Sequence, residues 1–188
     1  MLERNRFALK EWAVVVKGLT TGRQLMLLRK GGIEDEGGEF RVEHPEFFFY
    51  PTFEHQHRKF VRAEFLPDFD RAIGEQPPNE NLIISGYAEV VDCLVTKDLE
   101  KLRRLTPCHL WNDDYLEMRF SYKPELPLYV LVLRAYQTAP VEIPYRGEYR
   151  GCKSWVELDR ELSTATARPA LTDAEFAARR QEIKDLLA

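Results

Sequence analysis

The sequence predicts an α+β domain: a mixed, partly closed β-sheet or barrel flanked by helices, with a C-terminal helical extension. Three observations carry this prediction. Leu82 to Val95 and Leu128 to Tyr136 are apolar runs rich in Val, Leu and Tyr, the composition of strands. Asp98 to Leu105 lies between them with its leucines three apart, the period of a helix. Thr172-Asp173-Ala174-Glu175 is a capping box that opens a last helix ending at Leu187, with Phe176, Ile183 and Leu187 as its apolar stripe. The 188 residues, 44% of them hydrophobic, suit one core-forming domain over 1–162, followed by a linker and helix over 163–188.

Taken in order, Leu9, Trp12, Ala13, Val16 and Leu19 recur at helical spacing and predict a helix over 6–19, although Val14-Val15 also suits a strand. After Thr20-Thr21-Gly22, residues Gln24 to Arg29 form an apolar run that reads as a buried strand, and Ile33 to Glu39 is an acidic, glycine-rich loop. Phe40 to Val42 and Glu46 to Tyr50 read as short strands. Phe47-Phe48-Phe49-Tyr50 has no polar alternation, the mark of a strand buried on both faces, and Pro51 ends it. Asp68 to Gly74 reads as a short helix, and Gly86 as a bulge or close-approach point in the long strand. Trp111 to Phe120 is a helix capped by Asn112 or Asp113, and further strands lie around 141–143 and 155–158.

Charge and cysteine content narrow the function classes. A formal charge of −4 is unlike a protein that coats duplex nucleic acid, though a local basic patch survives that argument. Cys93, Cys108 and Cys152 are odd in number and widely spaced, which points away from a disulfide framework or structural zinc site and toward a reducing compartment. No run approaches the length of a membrane span and no leader pattern opens the chain, so the expectation is a cytoplasmic protein with no membrane partner.

Two constellations carry chemistry. Arg29-Lys30-Gly31-Gly32 places two cations beside glycines whose backbone can turn amides toward an anion, although a tight turn with exposed charges has the same pattern. His44, Glu54, His55 and His57 gather three of the four histidines within fourteen positions, a set that suits a divalent transition metal. In an extended backbone His55 and His57 share a face. The same cluster also offers a metal-free acid–base pair, Glu54 with His55, and a polar surface loop is the plain alternative. Farther on, Tyr145, Tyr149, Arg146, Arg150, Lys153 and Trp155 mix rings and cations as single-strand binders do, with Trp111, Tyr115, Arg119 and Tyr122 as a looser part of the mixture. Nudix chemistry lacks its Arg-Glu-x-x-Glu-Glu helix, and a restriction-type nuclease lacks an Asp/Glu-x-Lys triplet on a central strand.

Trp12, Leu28-Arg29-Lys30-Gly31-Gly32, Tyr50-Pro51-Thr52-Phe53-Glu54-His55-Gln56 and Gly151-Cys152-Lys153-Ser154-Trp155 resemble the uncharacterised bacterial domain-of-unknown-function family 1802, over most of residues 7 to 160. That family implies no activity. The order of elements also resembles the ASCH and EVE branches of the PUA-like superfamily, in which a Gly-x-Lys-x-x-Glu-x-Arg strand lines a cleft. Gly22 and Arg29 keep that spacing, while Gln24 stands at the lysine and Leu27 at the glutamate position. The departure removes the acid–base pair that the resemblance would supply and favours binding over catalysis.

The sequence therefore predicts a protein that recognises RNA or a modified nucleotide in a basic cleft, with Arg29, Lys30, Gly31, Gly32, Thr52, Lys153 and Trp155 as binding residues. The rival reading is a hydrolase of a nucleotide-like substrate with Glu54 and His55 as catalytic candidates, or His44, Glu54, His55 and His57 around a divalent metal ion. A third is a structural or interaction protein that uses its C-terminal helix. Oligomeric state is not legible.

Overall fold

In the computed structural model, which describes residues 1–30, 40–77, 81–151 and 153–188, the chain begins as a strand, Arg4–Trp12 (β1), and passes directly into a helix, Ala13–Thr20 (α1). The helix predicted over 6–19 is therefore half right. β1 lies between two other strands, which satisfy its backbone on both edges, and it buries Ala8 and Leu9 in different cores. That tertiary pairing overrides the helical spacing of Leu9 and Trp12.

Then come Met26–Arg29 (β2), Glu46–Thr52 (β3), the helix Leu66–Gly74 (α2), Leu82–Thr96 (β4), the helices Leu99–Arg104 (α3) and Asp113–Ser121 (α4), Leu128–Ile143 (β5), Trp155–Ser163 (β6), Arg168–Pro169 (β7) and the helix Asp173–Leu187 (α5). Asn112 caps α4, its side chain accepting from Tyr115 N. β3 runs through Pro51 to Thr52. Phe40 to Val42, predicted as a strand, is irregular, and Phe40 instead packs its ring near Trp155 and Tyr129.

Among the described residues seven strands form one mixed sheet in the order β2-β5-β4-β3-β1-β6, with β7 also on β5. β1 and β3 run parallel and the other pairs antiparallel. β3 fulfils the two-faced burial expected of its aromatic run: Phe47 and Phe49 enter the larger core under the helices, Phe48 and Tyr50 the smaller core on the opposite face. The β4/β5 register shifts between Ile84 and Gly86, where a Cβ on Gly86 would lie 2.5 Å from Thr20 Cγ2 and 2.9 Å from Phe49 Cδ2. Both readings of that glycine, bulge and close approach, hold.

The terminal strands β2 and β6 do not pair, so the sheet stops short of a barrel. It nevertheless curls far enough for Arg29 on β2 to donate to the Lys10 carbonyl of β1 at 2.6 Å. Side chains thus bridge the seam that backbone ladders leave open.

The C-terminal helix docks. Thr172 and Glu175 form the expected capping box, Ile183 enters the main core, and Arg134 binds Asp173 across the junction at 2.6 Å. Arg180 grips Asp92 on β4 with both Nε and Nη2, at 2.6 and 2.8 Å. Among the described residues no helix is long and apolar enough to cross a membrane.

Candidate functional site

The open seam holds a cleft of about 430 Å³. The end of β1 gives it Lys10 and Glu11, β2 gives Arg29, the turn after β3 gives Glu54 and His55, α4 gives Tyr115 and Arg119, and the approach to β6 gives Lys153. Tyr115 and Arg119 are four apart and share a face of α4. Four cations thus face two carboxylates in a molecule whose total charge is negative.

Arg29 is held in place. Its Nη2 donates to the Lys10 carbonyl and, at 2.8 Å, to Glu11 Oε2, while Glu11 Oε1 accepts from Trp12 N at 2.8 Å. The two side chains are only 13% and 8% exposed, so the pair is desolvated and rigid. The Nε of Arg29 and that of Arg119 are buried without partners among the described residues, which leaves N–H donors unused on two lining guanidiniums. Thr52 lines the cleft with its hydroxyl donating to the Glu11 carbonyl at 3.2 Å, and Lys153 Nζ donates to the Glu148 carbonyl at 2.5 Å.

Several predicted residues stand elsewhere. Lys30 is 1% exposed, donates to the Phe120 carbonyl and lies 5.2 Å from the Phe120 ring centroid; burial lowers its pKa. A residue beside Arg29 on an extended backbone points to the other face, so Arg29 and Lys30 do not share the cleft. The ammonium instead meets the C-terminal turn of α4, the end of a helix that favours a cation. Trp155 packs among Phe40, His44 and Phe47, its indole donating to the Arg41 carbonyl at 3.1 Å, and is likewise absent from the cleft lining. Gly31 and Gly32 lie outside the described residues.

The proposed metal shell does not assemble. Among the described residues no three His, Cys, Asp or Glu side chains converge on a point where an ion would sit. His44 stacks on Phe7 at 3.6 Å, and burial lowers its pKa; His57 meets Phe60 edge-on at 5.8 Å. The shared face expected for His55 and His57 required an extended backbone. His55 instead has φ 59°, in the left-handed region, within a turn braced by Gln56 Nε2 donating to the Thr52 carbonyl at 2.6 Å, so the extended geometry on which that shared face depended is absent. Glu54 and His55 remain together on the cleft lining.

The positions that match the ASCH strand face inward. Gln24 is 1% exposed, donating to the Met26 carbonyl and accepting from Leu110 N, and Leu27 is fully buried. Only Arg29 of that pattern reaches the cleft. Lys10 and Glu11 escaped the sequence reading because they fell within the supposed helix.

A second lobe of about 380 Å³ adjoins the first and shares Lys10, Thr52, Glu54 and Gly151 with it. Tyr50, Tyr145 and Tyr149 contribute to its wall.

The sequence model of domain-of-unknown-function family 1802 matches residues 8–182. Among solved structures, a mutant of the ZmASCH protein from Zymomonas mobilis resembles the chain with a TM-score of 0.51 and 11% identity, over 97% of this chain and 99% of the other. A second ZmASCH mutant gives a TM-score of 0.48 and 11% identity, over 94% and 96%. At this identity the likeness concerns the fold, an ASCH-like α+β architecture. No curated protein matches the sequence.

Proposed function

Because the chain belongs to domain-of-unknown-function family 1802, whose description supplies no activity, we propose a function from its cleft: binding of RNA or a nucleotide through phosphate. The observation that carries this is the immobilised Arg29, fixed by Glu11 and the Lys10 carbonyl at the base of a cleft that also presents Lys10, Arg119 and Lys153. A guanidinium held in one orientation loses little entropy on meeting a phosphate and matches its geometry with paired donors. The ASCH-like architecture is consistent with such a ligand.

The test is fluorescence anisotropy of a labelled single-stranded RNA at two salt concentrations. Binding that weakens with salt is expected, and Arg119→Ala/Lys153→Ala should weaken it and lower the salt slope by roughly 0.7 to 0.9 per lost phosphate contact. Binding indifferent to salt, or untouched by that double variant, overturns the proposal.

A second reading, acid–base hydrolysis of a nucleotide-like substrate, draws on one observation: His55 keeps a left-handed backbone beside Glu54 on the cleft lining, the kind of local strain that collects at working sites. Turnover lost in both Glu54→Gln and His55→Gln, with binding retained, would support it; binding without turnover leaves the first reading alone.

A further inference from the structure

The second lobe differs in character from the first. Tyr50 and Tyr149 meet edge-on at 6.0 Å, and Tyr145 is held by Arg150, whose Nε donates to its hydroxyl at 2.8 Å and whose guanidinium carbon lies 5.5 Å from its ring centroid. The Tyr149 hydroxyl accepts from Asp159 N at 3.0 Å. The Tyr50 side chain lines the lobe, and its hydroxyl, open to solvent there, makes no hydrogen bond to a described residue. Burial and the neighbouring Tyr145 and Tyr149 push its pKa up to about 12, so it stays a neutral donor and acceptor. A hydroxyl open on a cavity wall can both donate to and accept from a ligand there. Asn81 donates its amide to Glu142 at 2.5 Å, leaving its carbonyl oxygen as an acceptor beside the same lobe.

Lys10 joins the two lobes. Its ammonium lies 5.7 Å from the Tyr50 ring centroid and donates to the Gly151 carbonyl at 2.9 Å, while its own carbonyl holds Arg29. A cationic lobe thus adjoins an aromatic lobe with unspent neutral polar groups. The ligand that matches both is a flat, hydrogen-bonding ring joined to an anion.

We propose that the tyrosine lobe is a base-binding subsite, so that the ligand is an unpaired nucleotide with its base among Tyr50, Tyr145 and Tyr149 and its phosphate beside Arg29. This rests on the phosphate reading above and adds the substrate class. A base paired within a duplex is stacked on its neighbours and does not enter a lateral lobe without being extruded, whereas a free nucleotide or an unpaired residue of a strand enters directly.

Calorimetric titration of the full chain with ribose 5-phosphate, AMP, CMP, a short single-stranded RNA and the same RNA as duplex tests this. The nucleotides should bind at least tenfold more tightly than ribose 5-phosphate, the gain of roughly one ring stacked on aromatic side chains. Tyr145→Ala should erase that difference, and Tyr50→Phe, which keeps the ring, should narrow the discrimination between AMP and CMP. Within that supporting outcome, a strand that binds far better than AMP or CMP identifies the ligand as single-stranded RNA, and equal binding identifies a free nucleotide. Nucleotides that bind no better than ribose 5-phosphate, or a difference indifferent to Tyr145→Ala, overturn the subsite and leave the phosphate reading standing. Failure of every one of these compounds to bind overturns the phosphate reading and the subsite together.

Discussion

Arg29 and Glu11 pair at 2.8 Å across strands that are four places apart in the sheet order, β2 at one end and β1 beside the other. The pair shows how a sheet without closing hydrogen bonds still has a defined seam. Both groups are nearly buried, so removing one leaves the other desolvated and uncompensated. Glu11→Ala or Arg29→Ala should each destabilise the fold by about 3 kcal/mol in urea denaturation, and the double variant should cost less than the sum by roughly 1–3 kcal/mol. Arg29→Lys should not restore stability, because an ammonium cannot span carboxylate and carbonyl with a planar fork. Strict additivity would mean that the seam is held elsewhere.

Local chemistry made much of this fold legible. The capping box at Thr172, the Asn112 cap, the β-rich runs of β4 and β5 and the unbroken aromatics of β3 each declare an element without reference to distant residues. β1 does not, because its strand state depends on β3 and β6 and its own spacing favours a helix. The cleft suffered from the same error. Thr52, Glu54, His55 and Lys153 could be suspected from sequence, yet Lys10 and Glu11 lay inside a misread helix. Lys30 looked equivalent to Arg29 because one-dimensional proximity hides the alternation of strand faces.

Lys30 offers a direct separation of charge from function. Its aliphatic stem is buried and its ammonium serves the Phe120 carbonyl, so Lys30→Ala removes packing and a helix-end contact. A loss of about 2 kcal/mol is expected, with Lys30→Met milder than Lys30→Ala because it refills the volume. Neither should change the salt slope of RNA binding, which Arg119→Ala/Lys153→Ala should lower. A reduced slope in folded Lys30→Met would return Lys30 to the cleft.

Gly86 is required by its neighbours. A Cβ there would overlap Thr20 Cγ2 and Phe49 Cδ2, and Gly86→Ala should destabilise the protein by roughly 1–3 kcal/mol, the usual cost of overpacking. Thr20→Ser removes the offending methyl while keeping the hydroxyl that donates to the Val16 carbonyl at 2.9 Å. Thermal denaturation of the double variant should therefore recover part of the loss. No recovery would place the clash on the Phe49 ring alone.

The docking of α5 should fail in acid before the sheet does. Hydrogen bonds from Arg180, followed by its charge and that of Lys184, hold the Asp92 carboxyl below the usual carboxylate range. A carboxyl whose folded value is depressed contributes stability above its unfolded pKa of about 3.9 and loses it as pH falls through the folded value. Asp173 faces Arg134 at the same docking surface. Amide hydrogen exchange over 173–187 should therefore be slow near neutrality and rise below about pH 4, ahead of exchange in β4 and β5. Asp92→Asn should raise exchange in α5 already at neutral pH and flatten the acid step. If α5 instead keeps its protection until the sheet unfolds, burial of Ile183 holds the helix and the ion pairs do not.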